Sequence, residues 1–359
     1  MRGEMNIDGA SLFAAANGGR GFVGFYEDIF GRKEITRRYL IKGGPGTGKS
    51  TFMGRVAEAA EGAGFFVERY KCSSDPESLD AIVIDGRVAV IDATAPHSLD
   101  ATLPGARDEI VDLGQFWRAD GLSGCREEIE SLGRGKSDCY RAAYRLLSSA
   151  MQVEENSREL IARYVRLEKM RRAVKRLTAR IPDGEGYALS VGICDSLGMK
   201  GRVYLDTYER RAKRLYLVED AYKLGSMFLG LVAEEAVAKG NGISVSYYPL
   251  DPTYPDGVFF EESRVAFVLD RGVSEGERIG VKRFLDTSKE GFKKAKGEYK
   301  TDQRLCEGLC RSALDRLAEA GEYHFRLERI YGRQMDFVKM GEFTRDFIGS
   351  LMAYMKKNR

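Results

Sequence analysis

Residues 37–70 read RRYLIKGGPGTGKSTFMGRVAEAAEGAGFFVERY, and this stretch decides the fold. Its first part contains YLI, a short apolar run of the kind that forms a buried strand. The later run FMGRVAEAAE has apolar residues at helical spacing, which predicts a helix with one face on a sheet. A glycine-rich loop joins the two. The stretch therefore predicts a strand, a loop and a helix, which together open an α/β fold.

The loop Gly43–Ser50 matches G-x-x-x-x-G-K-[ST], the pattern of a phosphate-binding P-loop. Glycines let backbone N–H groups approach phosphate oxygens, and a helix that begins near Lys49 directs its first amides at the same anion. We expect Lys49 to neutralise the β- and γ-phosphates, Ser50 to bind Mg²⁺, and Thr51 to lie near the α-phosphate. The predicted nucleotide-binding residues are Gly43, Gly44, Pro45, Gly46, Thr47, Gly48, Lys49, Ser50 and Thr51. ATP is the expected nucleotide, and GTP stays open because no NKxD-type base-reading motif follows.

A second magnesium ligand is predicted at the end of another strand. VAVIDAT, residues 88–94, is an apolar run that ends in Asp92. A carboxylate there can hold the metal opposite Ser50. The next residue is Ala93, so the general-base glutamate that many ATPases have at this position is missing.

Another group would therefore have to orient the attacking water or acceptor. Asp75 and Asp80 in CSSDPESLD, and His97 in ATAPH, are candidates. Asp75 precedes Pro76 and is also an ordinary turn signal. The predicted catalytic residues are Lys49, Asp92, Asp75 and His97.

The chain contains an internal repeat. Residues 37–86 superpose without gaps on residues 213–262, with about a dozen identities, among them Ser50 with Ser226 and Asp80 with Asp256. With slight gaps the repeat continues and sets Asp92 against Asp270. Two related modules in tandem are the simplest account.

The repeat breaks where phosphates would bind. Opposite Gly43 and Gly44 the second copy has Glu219 and Asp220, and opposite Lys49 it has Gly225. Negative charge in place of the cation repels a nucleotide. The second module is therefore predicted to keep the fold and lose the site.

Length and repeat predict two tandem P-loop NTPase-like domains, each a mostly parallel sheet flanked by helices. We expect an active domain at 1–190 with a helical hairpin at about 136–181, and a degenerate domain at 191–359 with a hairpin at about 299–357. The two modules could form an intramolecular pseudo-dimer, in which the second contributes an arginine to the first site. The candidate arginines are Arg264, Arg271 and Arg278.

Composition describes an ordinary globular chain. Of its 359 residues 43% are hydrophobic and 31% charged, with a net charge of +3. No apolar run approaches the roughly 18 residues that span a bilayer, so no membrane partner is expected. Six cysteines without a CxxC pair, and two histidines, argue against a finger-type zinc site and favour reduced thiols in a cytoplasmic protein.

One segment of the first hairpin, residues 158–181, carries nine basic and two acidic residues. This charge is compatible with a nucleic-acid or acidic partner. The same segment has an apolar stripe that includes Leu167 and Val174, with the arginines on the opposite face. An ordinary packed hairpin is the favoured interpretation.

Three motifs extend a resemblance over nearly the whole chain. GGPGTGKST, YKCSSDPESLD and VAVIDATAPH, with FVGFYEDIFG before the first strand and RIYGRQMDF in the last hairpin, resemble a bacterial family of little-characterised ATPases built from two P-loop modules. The resemblance implies a P-loop fold in both halves and ATP binding at Gly43–Thr51. Members often keep a recognisable second P-loop, and this sequence departs from them at Glu219–Gly225.

The expected function is that of a magnesium-dependent ATP-binding protein and slow ATPase with one active site. Two alternatives remain open. A kinase would pass the γ-phosphate to a small molecule, which the missing glutamate after Asp92 permits. A non-enzymatic switch would use ATP only to set the arrangement of the modules.

Overall fold

A computed structural model describes residues 10–97, 99–186, 189–272 and 275–358. Within these residues the chain forms two mixed six-stranded sheets flanked by helices, and two small antiparallel hairpins. The α/β class predicted from the sequence is confirmed at this level.

The first half of the chain contains the first sheet. The strands of this half are β1 Ser11–Phe13, β2 Ala15–Gly18, β3 Gly21–Gly24, β4 Arg37–Lys42, β5 Val67–Lys71, β6 Leu79–Ile84, β7 Val88–Asp92 and β8 Asp108–Asp112. Strands β2 and β3 form a separate hairpin, and the other six form the sheet. The helices of this half are α1 Tyr26–Phe30, α2 Lys49–Gly62, α3 Ala119–Ser123, α4 Arg126–Ala162 and α5 Leu167–Thr178.

The second half contains the second sheet. The strands of this half are β9 Leu189–Val191, β10 Asp195–Gly198, β11 Gly201–Tyr204, β12 Arg214–Val218, β13 Ile243–Tyr247, β14 Pro255–Phe260, β15 Val265–Leu269 and β16 Glu277–Ile279. Strands β10 and β11 form a separate hairpin, and the other six form the sheet. The helices of this half are α6 Thr207–Arg211, α7 Leu224–Ala238, α8 Phe292–Arg333 and α9 Phe337–Lys357.

The two sheets have the same strand order. The first runs β1-β5-β6-β7-β4-β8, and the second, from its corresponding edge, runs β9-β13-β14-β15-β12-β16. Parallel and antiparallel pairs follow in the same sequence, with three of the five pairs parallel in each sheet. Even the irregularity between β5 and β6, at Tyr70/Lys71, recurs between β13 and β14 at Ser246/Tyr247. This regularity follows the repeat read from the sequence.

The described residues pack into two compact units that differ from the contiguous halves 1–190 and 191–359. The first unit contains residues 10–14, 24–141 and 317–358, and the second contains 15–23 and 142–316, within the described ranges. Two of the boundaries fall inside α4 and α8, and the other two lie on either side of residues 15–23. Helix α9 therefore belongs to the first unit and α5 to the second. The halves describe the repeat in the sequence, whereas the units describe how the chain packs.

The core of the first unit lies between α2, the sheet and α9. Phe52 and Val56 of α2 are fully buried, and Met340 and Leu351 of α9 pack in the same cluster. Burial of each such side chain stabilises the fold by about 1.5–3 kcal/mol. Trp117, the one tryptophan of the sequence, also packs against this cluster.

The core of the second unit repeats this arrangement with α7 and α5. Phe228 and Val232 of α7 cluster with Met170 and Val174 of α5. Leu167, which the sequence suggested for the buried stripe, is 40% exposed because it stands at the start of α5. Among the described helices none is both long enough and apolar enough to cross a bilayer.

Candidate functional site

The glycine-rich loop lies between the end of β4 and the start of α2. Helix α2 begins at Lys49, as expected from the sequence. Gly46 and Gly48 have φ of 69° and 79°, which are left-handed values that glycine adopts at little cost. Gly48 is the N-cap, and within the described residues no side chain caps the helix there. The first amides of α2 are thus directed at the loop, as anion binding requires.

Lys49 lies across the mouth of this loop. Its Nζ donates hydrogen bonds to the carbonyl oxygens of Gly43 at 3.0 Å and Gly44 at 2.8 Å. Nζ also lies 3.5 Å from Asp92 Oδ2, and both side chains are nearly buried, at 13% and 11% exposure. Asp92 reaches this position because β7 runs parallel to β4, with Asp92 opposite Ile41.

The remaining loop residues are held by short local contacts. Thr47 Oγ1 donates to the Gly44 carbonyl at 2.9 Å. Ser50 Oγ accepts the Leu79 N–H at 3.1 Å, which leaves its proton and a second lone pair for other contacts. Pro45 is half-buried and Thr51 is exposed at the surface of α2.

Helices α8 and α9 cover the outer side of the loop, which the sequence did not indicate. A Cβ on Gly46 would lie only 2.3 Å from the carbonyl oxygen of Glu328 in α8. Gly44 faces the rings of Trp117 and Tyr331, whose centroids are 5.6 Å apart. Backbone thus packs directly on backbone at Gly46. A glycine is needed there for space as well as for φ.

A second lysine, Lys136 of α4, lies in the electrostatic surroundings of Lys49. Burial lowers the pKa of Lys136; the carboxylate of Glu328 opposes this effect, and the positive charge of Lys49 adds to it. A cation shielded from water within the electrostatic influence of Lys49 is suited to bind a polyanion. Sequence reasoning missed Lys136 because it stands within a helix, almost 90 residues after the loop.

Residues proposed to orient water lie at the same edge of the sheet. His97 Nδ1 is 2.6 Å from the Tyr26 hydroxyl, and its Nε2 is 3.6 Å from Asp80 Oδ1. Burial raises the pKa of Asp80, and the charge of Asp92 contributes in the same direction. Asp75 is buried in its own turn, where it accepts the Ser78 hydroxyl at 3.0 Å.

In the second unit, side chains of the corresponding loop fill the space in front of helix α7. Asp220 Oδ1 accepts the N–H of Gly225 at 3.1 Å, so a carboxylate stands at the start of α7. Burial raises the pKa of Asp220, and Lys223 partly offsets this. Lys223 also lies 3.2 Å from Glu154. Glu219 pairs with Lys282.

The strand register corrects one equivalence drawn from the sequence. Asp92 is the last partner of β4, opposite Ile41, whereas the last partner of β12 is Leu269. Asp270 follows one residue later and pairs with Arg278 at 2.9 Å. Leu269, not Asp270, therefore occupies the register position that Asp92 has in the first sheet. A Cβ on Gly225 would lie 2.5 Å from Leu269 Cδ2, so this leucine would have to shift before a lysine could stand there.

The arginines considered for the active site have partners in their own unit. Arg271 bonds to Asp256 at 2.7 Å and to Asp195 at 3.1 Å, and its guanidinium lies 3.7 Å from the Tyr204 ring centre. Arg264 donates to the Arg211 carbonyl. Their participation in catalysis stays a prediction.

A basic cavity of about 270 Å³ lies beside α5. Its charged lining is Arg176, Arg180, Glu277, Arg278 and Arg283. The excess of guanidinium groups favours an anion. Contact with nucleic acid through this hairpin stays a prediction.

Comparisons of the chain with protein families, curated proteins and solved structures gave no match.

Proposed function

We propose that the protein binds one ATP with Mg²⁺ at Gly43–Thr51 and hydrolyses it slowly, while the loop at residues 219–225 binds none. The proposal rests on one contrast between the two repeats. Helix α2 begins with no side-chain cap among the described residues, and Lys49 lies beside it. Helix α7 begins with the carboxylate of Asp220 on the Gly225 amide. The first loop can therefore accept an external anion, whereas in the second loop the carboxylate of Asp220 already occupies the corresponding place.

The residues of the first loop fit a nucleotide and its metal. The left-handed Gly46 and Gly48 give the loop its curvature, and Lys49 would neutralise the phosphates. Ser50 and Asp92 would hold Mg²⁺, which would supply positive charge to the phosphate oxygens. The protein's own contribution would be positioning and fixed electrostatics, which dominate phosphoryl transfer. Membership of the tandem P-loop ATPases and a cytoplasmic location form part of this proposal.

The stoichiometry of binding tests the contrast. Titration calorimetry with Mg²⁺ and a non-hydrolysable ATP analogue should give about one site per chain. Lys49→Ala should weaken binding and abolish turnover. The control is Ser226→Ala at the start of α7, the counterpart of Ser50 in the repeat, which should change neither. Two equivalent sites per chain would refute the assignment of a degenerate loop.

Phosphate release distinguishes the reactions that such a site could support. An ATPase releases phosphate from purified protein with ATP and Mg²⁺ alone. A kinase would require a pool of small metabolites and would label one of them. A switch would bind ATP with neither release nor transfer. The proposal of hydrolysis requires the first result and fails with either of the others.

A further inference from the structure

Three side chains with different metal-ligand atoms converge beside the P-loop. Cys72 follows β5, Asp80 is the second residue of β6, and His97 lies in the loop after β7. Strand β6 runs antiparallel to both neighbours, so its start meets the ends of β5 and β7 at one edge of the sheet. One ligand atom from each of the three lies within 4.8 Å of the others.

The distances within this cluster are close to those of a metal site. His97 Nε2 lies 3.6 Å from Asp80 Oδ1, and a ligand atom of Cys72 lies within 4.8 Å of both residues. Two ligands of a tetrahedral zinc, with bonds of about 2.0–2.3 Å, lie roughly 3.3–3.6 Å apart. The histidine and aspartate already meet this spacing. The widest pair would need to close by about an ångström.

The hydroxyl of Tyr26 contacts both the histidine and the aspartate of this cluster. It lies 2.6 Å from His97 Nδ1 and donates to Asp80 Oδ2 at 3.2 Å. If the phenol oxygen accepts Nδ1–H, the histidine is the tautomer whose Nε2 carries no proton, and this nitrogen lies on the side of Asp80 Oδ1. Metal-binding histidines are held in this manner by a hydrogen bond to their other nitrogen.

We propose that Cys72, Asp80 and His97 bind one zinc ion, with Tyr26 as the supporting hydrogen-bond partner. Sulfur, oxygen and nitrogen together suit zinc, and three protein ligands leave the fourth position for water. The argument from the sequence against zinc concerned CxxC fingers, and it did not address ligands from three separate segments.

The charge environment of the cluster agrees with the geometry, which carries the proposal. Burial raises the pKa of the Cys72 thiol and of the Asp80 carboxyl, and Asp80 raises that of Cys72 further. Two acidic groups are thus enclosed together in a place that disfavours their anions. A divalent cation bound between them would stabilise both anions at once.

Cobalt binding tests the site without any nucleotide, so the result does not depend on the proposed ATPase. Co²⁺ occupies zinc sites of this ligand type and gives an absorption band from sulfur to metal when a thiolate binds. The full chain, first treated with a chelator, should bind one Co²⁺ with this band, and Zn²⁺ should displace it.

Variants assign the ligands. Cys72→Ser should remove the band and weaken Zn²⁺ binding about 100-fold, and His97→Ala should weaken it similarly. Tyr26→Phe should keep the band and lose about 10–100-fold in affinity. Cys125→Ser, a half-buried cysteine outside the cluster, is the control and should change neither. Absence of stoichiometric binding, or a thiolate band that survives in Cys72→Ser, would overturn the proposal.

Discussion

Substitution of Gly46 by alanine tests the packing of α8 on the glycine-rich loop. Gly46 has φ of 69°, and its Cβ position lies 2.3 Å from the Glu328 carbonyl oxygen and 3.0 Å from the Glu328 Cα. The neighbouring atoms belong to the backbone of a long helix, so they cannot move aside by a side-chain rotation. The methyl group must therefore displace the loop, the helix or both.

Two costs add in this variant. An alanine in left-handed conformation costs about 1–2 kcal/mol. A methyl group forced into a filled space costs about 1–3 kcal/mol more. The free energy of unfolding of the first unit should therefore fall by about 2–5 kcal/mol. With a urea dependence near 2 kcal/mol/M, the midpoint should decrease by about 1–2.5 M.

Fluorescence of Trp117 is the appropriate assay. It is the single tryptophan of the chain and lies against Gly44, with the nearest ring atom 3.3 Å from the Cβ position of that glycine. Its signal therefore follows the first unit rather than the whole chain. Urea unfolding at neutral pH gives the midpoint directly.

Gly54→Ala is the matched control. Gly54 lies within α2, and a Cβ there would meet no atom within 4 Å among the described residues. Alanine in a helix is favoured over glycine by about 1 kcal/mol, so this variant should unfold at higher urea. If Gly46→Ala unfolds at the wild-type midpoint, the close packing of Glu328 on the loop is wrong.

Three further predictions concern Asp92, Lys136 and Arg38. Asp92→Asn should lower turnover about 100-fold with less effect on nucleotide binding measured without metal, whereas Asp270→Asn should leave steady-state turnover unchanged. Lys136→Met should weaken ATP binding about tenfold in calorimetry, and wild-type binding should weaken as alkaline pH removes this proton before that of an ordinary lysine. Arg38→Met should cost about 1.5–3 kcal/mol in urea unfolding at pH 7, because the buried Asp108 carboxylate loses its fully buried guanidinium partner and keeps Arg107 and two backbone amides.

The pH dependence of the last variant follows from the sign of one pKa shift. The hydrogen bond from Arg38 holds the pKa of Asp108 well below its usual range. The carboxylate therefore stabilises the fold fully above about pH 4 and progressively less as the pH falls toward its native pKa. The difference between wild type and Arg38→Met should shrink over that acid range.

Controls for these variants come from exposed positions of the same kind. Arg214 begins β12 as Arg37 begins β4, and it is exposed, so Arg214→Met should change unfolding by less than about 0.5 kcal/mol. Arg134 is an exposed cation of α4, and Arg134→Met should not alter ATP binding. Equal effects of Asp92→Asn and Asp270→Asn would contradict the assignment of Asp92.

Local sequence determined much of the candidate site. The start of α2 at Lys49 and the end of β7 at Asp92 were both predicted, because short-range patterns set the ends of elements. The loss of the second loop was readable from Glu219 and Asp220 as a change of charge. The place of Leu269 was not, because it depends on the register between two strands that are distant in sequence.

The sequence also did not predict which side chains from separate segments would meet at the edge of the sheet. Cys72, Asp80 and His97 stand in three segments, and each alone resembles an ordinary loop or strand residue. Lys136 becomes relevant to the loop only because α4 brings it close to Lys49. Such groupings depend on long-range pairing, which no local pattern records.

The sequence predicted helical hairpins after each sheet, and only the tertiary structure decided where their last helices pack. The apolar residues Met170 and Val174 require that α5 bury one face, and Met340 and Leu351 require the same of α9. Because α2 and α7 follow equivalent strands of the two sheets, either offers a similar apolar surface. Hydrophobic burial is non-directional and does not choose between similar partners. Detailed fit of side chains, which the periodicity of a sequence does not contain, places α5 on α7 and α9 on α2.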